Sequence, residues 1–92
     1  MIYSQAYRRI IDRVNAQRGD QFKYRNKGTL AHWMSSHDQY VYLDGLTLRV
    51  QFGPLGAKQL VAGNGEAQPA DVERITQQIL DYFGRTALEH AA

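Results

Sequence analysis

Ser35, Ser36, His37 and Asp38 place the residue types of a hydrolase triad side by side. A nucleophile, its base and the group that orients the base must converge in space, and neighbouring side chains of one loop do not line up in that way. His32 and His37 raise the question of a metal. Such a site takes three or four ligands from rigid elements, and an odd separation on extended chain sends two imidazoles to opposite faces. Both histidines therefore read as structural or surface residues. Gly63-Asn64-Gly65 precedes a helix, as phosphate-binding loops do. It lacks the Lys-Ser/Thr ending of a P-loop and the third glycine of a dinucleotide fingerprint. Glu66, Asp71 and Glu73 also put negative charge where a phosphate would sit. The segment reads as a turn leading into a helix. Carboxylates brought together by the fold remain open, although no specific pair is indicated. No catalytic residue, metal or cofactor is expected, and an enzyme is the less favoured reading.

Composition narrows the field further. Ninety-two residues, 43% of them hydrophobic and only two of them proline, suit one folded domain. Cysteine is absent, which removes disulfides, thiolate metal sites and cysteine nucleophiles and fits a reducing compartment. No run approaches the roughly 20 apolar residues that span a bilayer, and the opening residues lead into an amphipathic pattern rather than a signal peptide. The expectation is a cytoplasmic protein without a membrane partner.

Two features could act by contact. The first is charge. The net charge is only +2, but residues 1–27 carry Arg8, Arg9, Arg13, Arg18, Lys23, Arg25 and Lys27 against Asp12 and Asp20, whereas the remainder is net acidic. This basic segment is either a solvated face or an attachment surface for something acidic, nucleic acid included. The second feature depends on how the middle of the chain folds.

From Gln39 to Phe52 the pattern alternates with period two around Asp44-Gly45. Asp-Gly between such runs predicts a two-residue hairpin turn with positive φ at both positions. That register sets Leu43 opposite Leu46, Val41 opposite Leu48 and Gln39 opposite Val50, and it turns Val41, Leu43, Leu46, Leu48, Val50 and Phe52 toward a core. On the other side Tyr42 would face Thr47 and Tyr40 would face Arg49, with Gln51 beside them and Trp33 a further candidate. Tyrosine and arginine are enriched at interaction hot spots. They also pack across strands on ordinary solvated faces.

The flanking elements follow from spacing. Tyr3, Ala6, Tyr7, Ile10, Ile11 and Val14 form one helical stripe over residues 4–18, with Ser4 as N-cap and Gly19 as C-terminal stop. Val72, Ile75, Ile79, Leu80 and Phe83 form another, beginning near Pro69 and ending at Gly84, with residues 85–92 as a frayed tail beyond a domain of residues 1–84. Residues 21–25 and 29–35 predict a further hairpin around Asn26-Lys27-Gly28, and residues 58–62 a short edge strand. The predicted fold is α+β: an antiparallel four- to five-stranded β-meander flanked by an N-terminal and a C-terminal helix, both packed on one face.

This order and length resemble the double-stranded-RNA-binding domain, whose final helix starts with lysines that hold RNA phosphates. Here the equivalent stretch, Gln68-Pro69-Ala70-Asp71-Val72-Glu73-Arg74, is acidic, and the extra strand departs from the pattern. The resemblance is one of topology and transfers no residue.

The leading expectation is a non-enzymatic protein-interaction module, by analogy a stand-alone inhibitor or accessory factor of the kind phages and mobile elements carry. It would dock another protein through Tyr40, Tyr42, Arg49, Gln51 and Trp33. The alternative is RNA or DNA binding through the basic segment, with tyrosines as stacking platforms. A homo-oligomer formed through an edge strand or the open face is the third.

Overall fold

A computed structural model describes residues 1–18, 23–25, 29–36 and 38–91, with residues 23–25 and 85–91 described by their backbone alone. Two helices enclose a meander, as the spacing predicts: α1 (Tyr3–Arg18), β1 (Lys23–Arg25), β2 (Leu30–Ser36), β3 (Gln39–Asp44), β4 (Arg49–Phe52), β5 (Gln59–Leu60) and α2 (Pro69–Ala91). All strands are antiparallel, in the order β1-β2-β3-β4-β5, with β5 a two-residue edge. The expected turn at Asn26-Lys27-Gly28 lies outside the described residues.

The stripe of α1 is buried through Ala6, Tyr7, Ile10, Ile11 and Val14, and that of α2 through Val72, Ile75, Ile79 and Phe83. Both meet the same side of the sheet, where Ala31, Trp33, Val41, Leu43 and Val50 complete one core. Each large apolar side chain so enclosed contributes about 1.5–3 kcal/mol of transfer free energy. The helices also touch each other: the Arg18 guanidinium lies 3.9 Å from the Phe83 ring centroid, and Arg13 lies 3.9 Å from Glu73.

The helix ends differ from the simplest expectation. Ile2, not Ser4, caps α1: its carbonyl accepts from Gln5 and Ala6. Met1 and Ile2 are drawn back by a short bridge to Glu66 and Ala67, in which the Met1 ammonium donates to the Ala67 carbonyl at 2.8 Å. At α2, Pro69 takes the first turn and Asp71 reaches back to accept from the Gln68 N–H at 2.9 Å, which satisfies a donor the helix itself cannot. Gly84 does not stop α2, whose backbone runs on to Ala91. It keeps a helical φ rather than the left-handed one that ends helices.

The central hairpin forms with a different turn. Asp44 pairs with Arg49, Leu43 with Val50, Tyr42 with Gln51 and Val41 with Phe52, so residues 45–48 make a four-residue loop instead of a two-residue one. The Asp44 carboxylate spans the loop, accepting from Leu46 N–H at 2.8 Å and Thr47 N–H at 3.2 Å. Leu48 supplies the positive φ, at 49°. Gly45 serves another purpose: a Cβ there would stand 2.8 Å from the Tyr7 ring, so its lack of a side chain lets α1 approach the turn. One core assignment falls with the register. Leu46 sits on the loop at 71% exposure, while Leu48 is buried as expected.

Candidate functional site

The observed pairing differs from the expected one by an even number of positions, and side-chain facing has period two. Inward and outward sides are therefore preserved. Tyr40, Tyr42, Arg49 and Gln51 share the side of the sheet that neither helix covers, although with new neighbours. Tyr42 lies across from Gln51 rather than Thr47, Arg49 across from Asp44, and Tyr40 across from Met34 on β2.

Trp33 is a correction. It pairs with Val41 on the helix side, is only 2% exposed, and donates from Nε1 to Asn15 Oδ1 at 2.8 Å. A buried indole N–H needs such an acceptor, and Asn15 on α1 provides it. Its sequence neighbour His32 takes the open-face position instead, opposite Tyr42.

His32 completes an aromatic cluster. Its ring stacks on Tyr42 with centroids 4.3 Å apart and planes 12° from parallel. Tyr40 meets Tyr42 at 4.9 Å and 69°, and His32 at 5.8 Å and 81°, both edge-on. Each such contact is worth about 0.5–1.5 kcal/mol beyond area burial. The cluster encloses His32, at 4% exposure, and leaves both tyrosines half-buried. Tyr40's phenol is held above its ordinary pKa, first by burial and then by Tyr42, Tyr82 and Asp38.

Around the rings lie large apolar side chains in contact with solvent: Met34 at 49% exposure, Leu60 at 53% and Leu46 on the loop. The register puts Leu60 opposite Arg49 and Met34 opposite Tyr40, so both belong to this face. Toward the 45–48 loop the face dips into a groove of about 360 Å³, whose lining includes Leu30, Tyr42, Leu46, Arg49 and Lys58. Asp44 also lines it, but its Oδ1 is occupied by the loop N–H groups. Arg49 and Lys58 are exposed and form no ion pair among the described residues. Gln51 turns its amide to the Gly53 carbonyl at 3.1 Å.

The basic segment is divided between the two layers rather than gathered at this face. Arg8, Arg9 and Arg13 are exposed on α1, in the helical layer beyond the sheet, and Arg18 is laid over Phe83. Lys23 and Arg25 sit in β1 at positions paired with His32 and Leu30, and Lys27 lies outside the described residues.

Sequence reasoning missed His32, Met34, Lys58 and Leu60 as members of the face. Alternation along β2 would have found the first two, had the turn into β3 carried a register signal. His37 lies outside the described residues, so the Ser-Ser-His-Asp stretch has no described geometry as a set. Ser35 hydrogen-bonds Gln39 Oε1 at 2.8 Å, across a bulge between Met34 and Ser36. Among the described residues no three His, Asp or Glu side chains gather as metal ligands, and no helix is long and apolar enough to cross a membrane. No family model, curated protein or solved structure matches this chain.

Proposed function

We propose that this chain is a non-enzymatic protein-interaction module, acting in the cytosol as a stand-alone inhibitor or accessory factor by docking the open face of its sheet onto another protein. The observation that carries this reading is the composition of that face. Tyr40, Tyr42, Met34, Leu46 and Leu60 present rigid aromatic and flexible apolar area beside the exposed Arg49, on the side away from α1 and α2. Aromatic anchors with an arginine at their margin are the residue types that dominate interface energetics. The missing cysteine suits the reducing compartment.

Nucleic-acid binding is favoured less. A strand stacked on the tyrosines would need cations tracking its backbone on the same surface; Lys23 and Arg25 hold positions there, but the arginines of α1 lie in the other layer. Alanine at Tyr40 and Arg49 together is expected to abolish capture of a protein partner from an extract of the native host, while the far-ultraviolet dichroism and cooperative melt are retained. Undiminished capture by the folded double variant refutes the reading. Capture that disappears after nuclease treatment transfers it to nucleic acid.

A further inference from the structure

The groove at the loop end of the open face suggests what kind of protein segment occupies it. We infer that it takes an acidic segment carrying aliphatic or aromatic side chains, with carboxylates at Arg49 and Lys58 and an apolar side chain in the groove between Leu30, Leu46 and Tyr42. This rests on the open face being the docking surface and adds the chemistry of its partner.

Three observations converge. Arg49 and Lys58 line the same groove, are exposed and have no carboxylate partner among the described residues. Asp44, opposite Arg49, keeps its charge while its Oδ1 accepts from the N–H groups of Leu46 and Thr47, so the two cations outnumber the one carboxylate of the lining. The rest of the lining sets Leu30, Leu46 and Tyr42 beside Thr29 and Gln51, in a volume of about 360 Å³. That volume is at the small end of the range for ligand sites, about 300–1,000 Å³. Two cations at an apolar groove complement carboxylates flanking an apolar residue. Lys23 and Arg25 hold register positions on the same face, opposite His32 and Leu30, so a nucleic-acid strand is the competing occupant that the experiment must separate from an acidic segment.

The experiment is selection of a random peptide library displayed on phage against the immobilised full chain, followed by titration of the enriched peptides as synthetic fluorescent probes. Tyr42→Ala and two charge-reversed variants read the result. Arg49→Glu with Lys58→Glu reverses the groove charges, and Arg8→Glu with Arg9→Glu changes the net charge equally on α1. All four side chains are exposed, so both variants are expected to fold, which a thermal melt checks. Enriched peptides are expected to combine Asp or Glu with aliphatic or aromatic residues, to bind the groove variant roughly tenfold more weakly, and to bind the α1 variant as they bind the native chain. Peptides with no acidic bias whose binding is still lost on Tyr42→Ala overturn the acidic segment and leave the docking face standing. Peptides indifferent to both Tyr42→Ala and the groove variant overturn both readings, as does failure to enrich any peptide over an empty surface. Tighter binding of oligothymidylate than of any selected peptide, weakened by the groove reversal, overturns it in favour of nucleic acid.

Discussion

The two sides of this sheet are built from the same strands and alternate residue by residue, yet they are different materials. On the helix side Trp33, Val41, Leu43 and Val50 are sealed among aliphatic neighbours from both helices. On the other side His32, Tyr40 and Tyr42 pack mainly on one another, with Met34, Leu60 and Arg49 left in water. The first side meets its complement within the chain. The second has ring contacts but, among the described residues, no covering layer, so its apolar area is available to another molecule. Neighbouring residues of one strand should therefore respond very differently to the same truncation.

The largest contrast is expected between Leu43 and Tyr42. Leu43→Ala empties space in a closed core and should cost about 2–5 kcal/mol in urea unfolding. Tyr42→Ala, one residue away, loses a stack that is open to solvent and should cost about 1 kcal/mol. Equal costs would mean that both sides serve stability alike, and the contrast would fail.

A smaller effect sharpens the account of how α1 meets the sheet. Gly45→Ala introduces a methyl group against the Tyr7 ring and should destabilise by about 1–3 kcal/mol. Gly45 has no positive φ, so backbone strain would not account for the loss. Tyr7→Ala in the same background should recover part of it, because the obstructing ring is gone; a double variant whose losses simply add would locate the glycine's role elsewhere.

The smallest effect concerns the open side and pH. Tyr40's phenol is raised in the folded chain, first by burial and then by the neighbouring Tyr42, Tyr82 and Asp38. Folding therefore holds that proton more tightly than the unfolded chain does. The associated stability is complete below the unfolded value, about 10, and is lost as pH rises through the folded one. Stability measured from about pH 9 to about pH 11 should decline less in Tyr40→Phe than in the native chain. An identical decline would detach Tyr40 from the base limb.

Much of this arrangement was legible in the residues. The stripes of α1 and α2 recur at helical spacing, and they bury the side chains that spacing selects. The sidedness of β3 and β4 was legible for a more general reason, that alternation survives any displacement of register by an even number of residues. The turn itself was misjudged because Asp44-Gly45 carries two signals with other causes. The aspartate caps loop N–H groups, the glycine makes room for Tyr7, and the left-handed residue is Leu48, a type that rarely announces one. Trp33 was out of reach because Ser35 to Asp38 contains neither glycine nor proline and the strand bulges there, so nothing local set β2 against β3. The cations of α1 and those of the groove look alike as composition. Only the fold assigns them to different layers.

The anchoring of Trp33 to Asn15 has a practical consequence. The chain has a single tryptophan, and its indole bridges the sheet and α1 at a position closed to water. Its emission should shift to the red when that helix lifts away, and should stay nearly constant when something settles on the far side of the strands. The molecule thus contains an optical gauge of its own integrity that is insulated from docking, so a variant that has merely lost its partner can be told apart from one that has come undone.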